Sequence, residues 1–126
     1  MGRLKKVWDI SVIELPDESD SYSSEARRLA VLEREGERIQ NCLKPLDVIV
    51  SLDARGKLAK KPFFCDLVGK TAFERRSLVF IVGGSLGIAD SVLRQTKYRV
   101  SLSELTFTHR LARLLLLEIL CGVMEN

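Results

Sequence analysis

Histidine occurs once in the 126-residue chain, as His109, and cysteine three times, as Cys42, Cys65 and Cys121. The cysteines are odd in number, widely spaced and without a C-x-x-C pair, which excludes the usual structural zinc ligand set. Their expected state is that of buried, reduced thiols in a cytosolic protein. Neither a second histidine nor a neighbouring cysteine completes a metal site or a nucleophilic triad around His109. Ser85 stands in G-G-S-L-G rather than G-x-S-x-G, so a nucleophile elbow is not supported. Neither half of the chain is dominated by charge of one sign, and the net charge is only +3, which tolerates an RNA partner without demanding one. Long apolar runs are also missing. Leu111 to Leu120 is interrupted by Arg113 and Glu118 and falls well short of the ~20 residues that span a bilayer. The start, Met1-Gly2-Arg3-Leu4-Lys5-Lys6, has no apolar stretch of a signal peptide after it and no myristoylation motif. A soluble, cytoplasmic protein with no membrane partner and no metal is the expectation. Internal repeats, low-complexity tracts and linkers are absent, and the length favours one domain over residues 1–126.

What is present is an alternation of two periodicities. Trp8 to Leu15 alternates like a strand with one buried face. An acidic loop follows, then Ser23 or Ser24 as N-cap, with Glu25 in the first turn of a helix to about Asn41. Asp47 to Leu52 is a short β-branched strand, and Asp53-Ala54-Arg55-Gly56-Lys57 reads as its loop. Pro62 suits the first turn of a second helix, which fades before Arg75-Arg76. Ser77 to Val82 is apolar on both faces, as in the middle of a covered parallel sheet. A short helix over about Ile88 to Gln95, a strand at Tyr98 to Ser101, and a final helix to about Gly122 complete the chain. Thr106 or Thr108 would cap that last helix. It is apolar nearly all round, so one sheet face cannot cover it and a subunit interface is the expected second cover. The order β-α-β-α-β-α-β-α predicts an α/β fold with a mostly parallel sheet flanked by helices.

Two loops stand out for chemistry. Gly83-Gly84-Ser85-Leu86-Gly87 is either a turn that needs glycine or a loop that holds a ligand phosphate. It is no P-loop, because Ile88 follows Gly87, and its place after the third strand does not fit a dinucleotide fingerprint. Ser101-Leu102-Ser103-Glu104-Leu105-Thr106-Phe107-Thr108-His109 is either a capped helix start or a loop whose backbone reads an adenine edge. Leu102 and Leu105 would then be apolar walls. His109 is a weak candidate general base, and otherwise a structural residue. Arg55, Lys57, Lys60 and Lys61 cluster after the second strand, and Arg110 and Arg113 open the last helix. They are solvated charge or, if the loops form one site, its phosphate-facing rim.

Taken in order, Leu52-Asp53-Ala54-Arg55-Gly56-Lys57, Val82-Gly83-Gly84-Ser85-Leu86-Gly87 and Ser101 to Leu111 resemble the bacterial large-subunit ribosomal RNA pseudouridine methyltransferase H family. That family belongs to the SPOUT superfamily of trefoil-knotted methyltransferases. The resemblance covers about residues 8 to 120. It implies a C-terminal trefoil knot, a homodimer, and S-adenosyl-L-methionine bound in the knot. The implied cofactor contacts are Leu52, Gly84, Ser103, Glu104, Leu105, Thr106, Phe107 and Thr108. The implied partner is ribosomal RNA or the assembled ribosome, and the implied reaction is methylation of a pseudouridine at N3.

The chain differs from the family pattern in three places. It starts at what resembles the family's second strand. Thr108 replaces the usual proline before the motif histidine. Glu118-Ile119-Leu120-Cys121-Gly122-Val123 stands where the family has E-Q-x-Y-R-A, and the family's P-Y-H tail is not matched. The expected domain is thus shortened at both ends, and a catalytically idle knotted dimer that binds RNA or protein is the alternative expectation. A third is a nucleotide-binding α/β protein without a knot.

Overall fold

The computed structural model describes residues 10–14, 24–83, 87–102 and 109–124. They form β1 (Ile10–Glu14), α1 (Glu25–Cys42), β2 (Val48–Leu58), α2 (Lys61–Phe73), β3 (Leu78–Val82), α3 (Asp90–Leu93), β4 (Tyr98–Ser101) and α4 (His109–Met124). Local chemistry sets most of these bounds. The Ser24 hydroxyl accepts from the Arg27 N–H at 3.2 Å, satisfying one of the free donors at the start of α1, and Glu25 sits in the favoured first turn. Pro62 lies in the first turn of α2. At the other end of α2, Arg75 turns into the left-handed region at φ 57°. The N–H groups of Arg75 and Arg76 fold back on the carbonyls of Ala72 and Thr71, which stops the helix where the sequence predicts.

Four strands form one sheet in the order β1-β3-β2-β4, and every pair is parallel. This is the expected α/β architecture. β3 lies between β1 and β2 and is buried along its whole length, as its two-sided apolar pattern predicts. Successive side chains of β2 and β3 point to opposite faces. Val48, Val50, Leu52, Leu78, Phe80 and Val82 pack with α2 and α4 through Phe64, Leu67, Val68, Leu116, Leu120 and Val123. Ile49, Val79 and Ile81 pack on the other face with Ile39 of α1 and Val92 of α3. Phe64, Phe80, Leu78 and Ile81 are wholly buried. Each such side chain contributes about 1.5–3 kcal/mol of burial, so the two clusters dominate the stability of the sheet.

Three expectations are corrected. Residues 53–57 are not a loop that ends β2: the strand continues to Leu58, arching out of the ladder over 53–56 before Lys57 and Leu58 rejoin β4 beside Val100 and Ser101. The free hydrogen-bonding edge of β4 accounts for this, since the Ala59 N–H also donates to Ser101 O at 2.9 Å. The third helix is a single turn, Asp90–Leu93, instead of reaching Gln95. The Thr96 hydroxyl donates to the Val92 carbonyl and closes that turn. The cysteines are free thiols, but Cys42 and Cys121 are exposed and only Cys65 is partly buried. Cys42 ends α1 and Cys121 lies on the outer side of α4, away from Leu116, Leu120 and Val123. α4 itself is one-sided: Leu114 is 59% exposed. The residues expected to cap it, Thr106 and Thr108, lie outside the described residues, as do all of residues 103–108 of the expected C-terminal knot. Among the described residues no helix is long and apolar enough to cross a membrane.

Candidate functional site

Because all strands run the same way, their carboxyl ends share one edge. Glu14, Val82, Leu52 and Val100 form a register row across it. β2 leads into α2 on one face and β3 leads into α3 on the other. The chain therefore diverges between β2 and β3. Open α/β sheets place ligands in the crevice outside the strand ends at such a point. Leu52 and Gly83 stand at it, and the Gly83 N–H reaches the Leu52 carbonyl only at 3.4 Å. The three stretches singled out by sequence thus have neighbouring roots: Leu52 in β2, Val82 in β3 and Ser101 in β4.

Beyond Leu52 the chain arches. Leu52 and Lys57 both pair with Val100, so residues 53–56 leave the ladder and return to it. Gly56 makes the return possible. A Cβ there would lie 2.7 Å from Val100 N and 2.8 Å from the carbonyl carbon and oxygen of Arg99. Gly87, at the far end of the glycine loop, has φ +85°, which L side chains rarely adopt. Asp53 pins the arch. Its Oδ1 accepts from the Arg55 N–H at 3.0 Å, and its Oδ2 accepts from Arg99 Nε at 3.1 Å and from an Arg99 terminal nitrogen at 2.6 Å. Burial pushes the Asp53 carboxyl up, but the Arg55 N–H and the Arg99 guanidinium outweigh it and hold it below its ordinary value of 3.8.

A depressed carboxyl stabilises the fold above its unfolded-state pKa, and the contribution is lost as pH falls through the folded value. The wild type is expected to exceed Asp53→Asn by up to about 1 kcal/mol at pH 7, a modest amount because Arg99 is well exposed. Urea unfolding should show this gap closing as pH drops from about 5 to about 2. A gap that stays constant over that range would assign the effect to shape instead of charge.

Of the residues the sequence assigned to cofactor binding, Leu52 is placed at the crevice. Gly84 and Ser103 to Thr108 lie outside the described residues. His109 is the first residue of α4. Arg55, Lys57, Lys60 and Lys61 are all exposed around the arch and the start of α2. No group of three His, Cys, Asp or Glu side chains among the described residues could hold a metal ion.

The family described as "Predicted SPOUT methyltransferase" matches residues 1–122. A ribosomal RNA large subunit methyltransferase H 2 of Caldanaerobacter subterraneus is 39% identical over 119 residues, 94% of this chain and 80% of its own length. The chain belongs to the SPOUT methyltransferases, in the methyltransferase H family. The proteins named ribosomal RNA large subunit methyltransferase H from Pelotomaculum thermopropionicum and Trichlorobacter lovleyi are 38% and 36% identical. These matches cover 94% and 99% of this chain, and 75% and 81% of theirs.

Two features of this SPOUT chain went unread in its sequence. The Asp53–Arg99 pair joins residues far apart in the chain, and no local signal marks it. Ser51 bonds Thr96 at 2.7 Å, Oγ to Oγ1. Because the Thr96 proton goes to Val92, Ser51 is the donor. A lone serine in the apolar run Val48 to Leu52 was the available clue, since a buried hydroxyl needs a partner.

Proposed function

We propose that this protein methylates large-subunit ribosomal RNA at N3 of a pseudouridine, using S-adenosyl-L-methionine. The observation that carries the reading is the family match along residues 1–122, with relatives named for ribosomal RNA large-subunit methylation. The position of Leu52 and Gly83 supports it, because parallel α/β sheets take their ligands outside the carboxyl ends of the strands where the chain diverges to opposite faces. When bound, the cofactor supplies an electrophilic methyl group on a sulfonium. Leu52, Gly84 and the run Ser103, Glu104, Leu105, Thr106, Phe107 and Thr108 hold and orient it. Their main contribution is alignment of methyl and nitrogen. His109 is the candidate to take the N3 proton. The chain works as a homodimer in the cytoplasm, with Leu114 and the outer side of α4 toward the partner copy, and binds its cofactor in a C-terminal knot.

Calorimetry with S-adenosylhomocysteine is expected to show saturable binding, and ribosomes lacking the modification are expected to accept one methyl group. Absence of heat at millimolar ligand removes the reading. A second reading rests on one specific observation: Cys121 and Gly122 stand where the family has Tyr-Arg. It is a knotted dimer that binds cofactor and RNA without turnover. Cofactor binding with no methyl transfer to any ribosomal substrate selects it.

A further inference from the structure

From Ala54 to Cys65 the chain has no acidic residue and four cations, Arg55, Lys57, Lys60 and Lys61. All four are exposed. Of the two carboxylates that flank this strip, Asp53 is taken by Arg99 and the Arg55 N–H, and Asp66 forms no ion pair with it among the described residues. Among the described residues, Lys57, Lys60 and Lys61 form no ion pair. The fold holds this strip at the rim of the crevice. Lys57 pairs with Val100, and the Ala59 N–H bonds Ser101, the last residue of β4. Lys61 leans over α4, where a Cβ on Gly122 would be 3.7 Å from its Nζ.

Helix stability does not account for these lysines. Lys60 is the N-cap of α2 and makes no capping bond, Lys61 opens the helix, and its first turn holds no acid. Cations at a helix start oppose the macrodipole. A row of unneutralised cations beside a site that receives a polyanion has a direct use.

We propose that Lys57, Lys60 and Lys61 form the surface on which the RNA backbone docks, each meeting a phosphate while the target base enters the crevice. This rests on the functional reading above and names the residues that would bind its substrate. Phosphate contacts position a nucleic acid without reading sequence, so the lysines set affinity and register while the crevice selects the base.

The test compares the full-length chain with two charge-matched triple variants. One is Lys57→Gln, Lys60→Gln, Lys61→Gln. The other is Lys44→Gln, Lys70→Gln, Arg75→Gln, whose exposed cations lie at the opposite, amino edge of the sheet. The probe is a labelled fragment of large-subunit ribosomal RNA, titrated at several salt concentrations, with S-adenosylhomocysteine calorimetry alongside. The rim variant is expected to lose roughly 10- to 100-fold in RNA affinity near 0.1 M salt, and its log–log salt slope to fall by about 3. Its cofactor affinity should be unchanged and its melting temperature equal to or above wild type. The amino-edge variant should bind RNA within about twofold of wild type, because it removes no phosphate contact. Equal losses in both variants would reduce the effect to net charge and overturn the surface, as would a rim variant that binds like wild type. A wild type that binds the cofactor but shows no salt-dependent RNA affinity overturns the RNA reading itself, and the surface with it.

Discussion

Gly56→Ala is expected to lower the stability of the protein by about 3 kcal/mol, the upper part of the range for overpacking, and its melting temperature by roughly 10 °C. The added methyl would meet backbone atoms of Arg99 and Val100 at 2.7–2.8 Å. A side chain in the way could rotate aside, but β4 cannot, because the same strand is paired with β2 before and after the arch. Relief therefore requires the arch to lift from β4, which also moves the Asp53 oxygens away from Arg99. Thermal melts and S-adenosylhomocysteine calorimetry below the melting point check both parts, and cofactor binding should weaken along with stability. Gly69→Ala is the control. An added Cβ there meets nothing within 4 Å inside α2. It should raise stability by about 0.5–1 kcal/mol, because alanine suits a helix better than glycine. If both substitutions lowered stability alike, the close approach at Gly56 would not be the cause.

Phe80→Ala should have the largest effect of any single truncation, about 3–5 kcal/mol. Phe80 is wholly buried in the central strand, its ring centroid 6.2 Å from that of Phe64 in α2. Truncation removes the contact between sheet and helix where both are rigid, so the space cannot collapse. Natural domains are stable by only about 5–15 kcal/mol, and the loss consumes much of that. Urea unfolding monitored by circular dichroism is expected to show a much lower midpoint. Phe80→Leu, which keeps most of the volume, should cost less than half as much. Equal costs for alanine and leucine would point to the Phe64 ring contact, not cavity formation, as the source.

The legible parts of this fold are those written in local periodicity. β3 could be placed in the centre of the sheet because Leu78 to Val82 offers no polar face. α1 could be started at Ser23 or Ser24 because a hydroxyl shortly before Glu25 suits a helix N-terminus, and the structure selects Ser24. The arch was misread because Asp53, Arg55, Gly56 and Lys57 carry loop chemistry. What returns them to the sheet is an unpaired edge on β4, more than forty residues later in the chain. The single turn of α3 has the same kind of origin: Thr96 and Ser51 close it through a bond across the sheet. The exposure of Cys42 and Cys121 reflects where their helices turn outward, which depends on packing partners. For the site, motif order singled out Leu52, which lies at the carboxyl edge of the sheet beside Val82 and Val100, and the register of β2, β3 and β4 sets the roots of the three motif stretches side by side. The ion pair that pins the arch carries no motif and emerges only from the assembled sheet.

The all-parallel register also constrains how the chain acquires its structure. Ile10 pairs with Leu78, Val50 with Tyr98, and Val48 with Leu78. Even the nearest of these partners are about thirty residues apart, so the described sheet contains no hairpin that could form early and alone. Every ladder requires a large loop to close first, and loop-closure entropy is spent before any pairing rewards it. Folding should therefore be slow for a chain of this length, in the range of milliseconds to seconds, with β2 and β3 meeting first and β1, the partner most distant from β3 in sequence, arriving late.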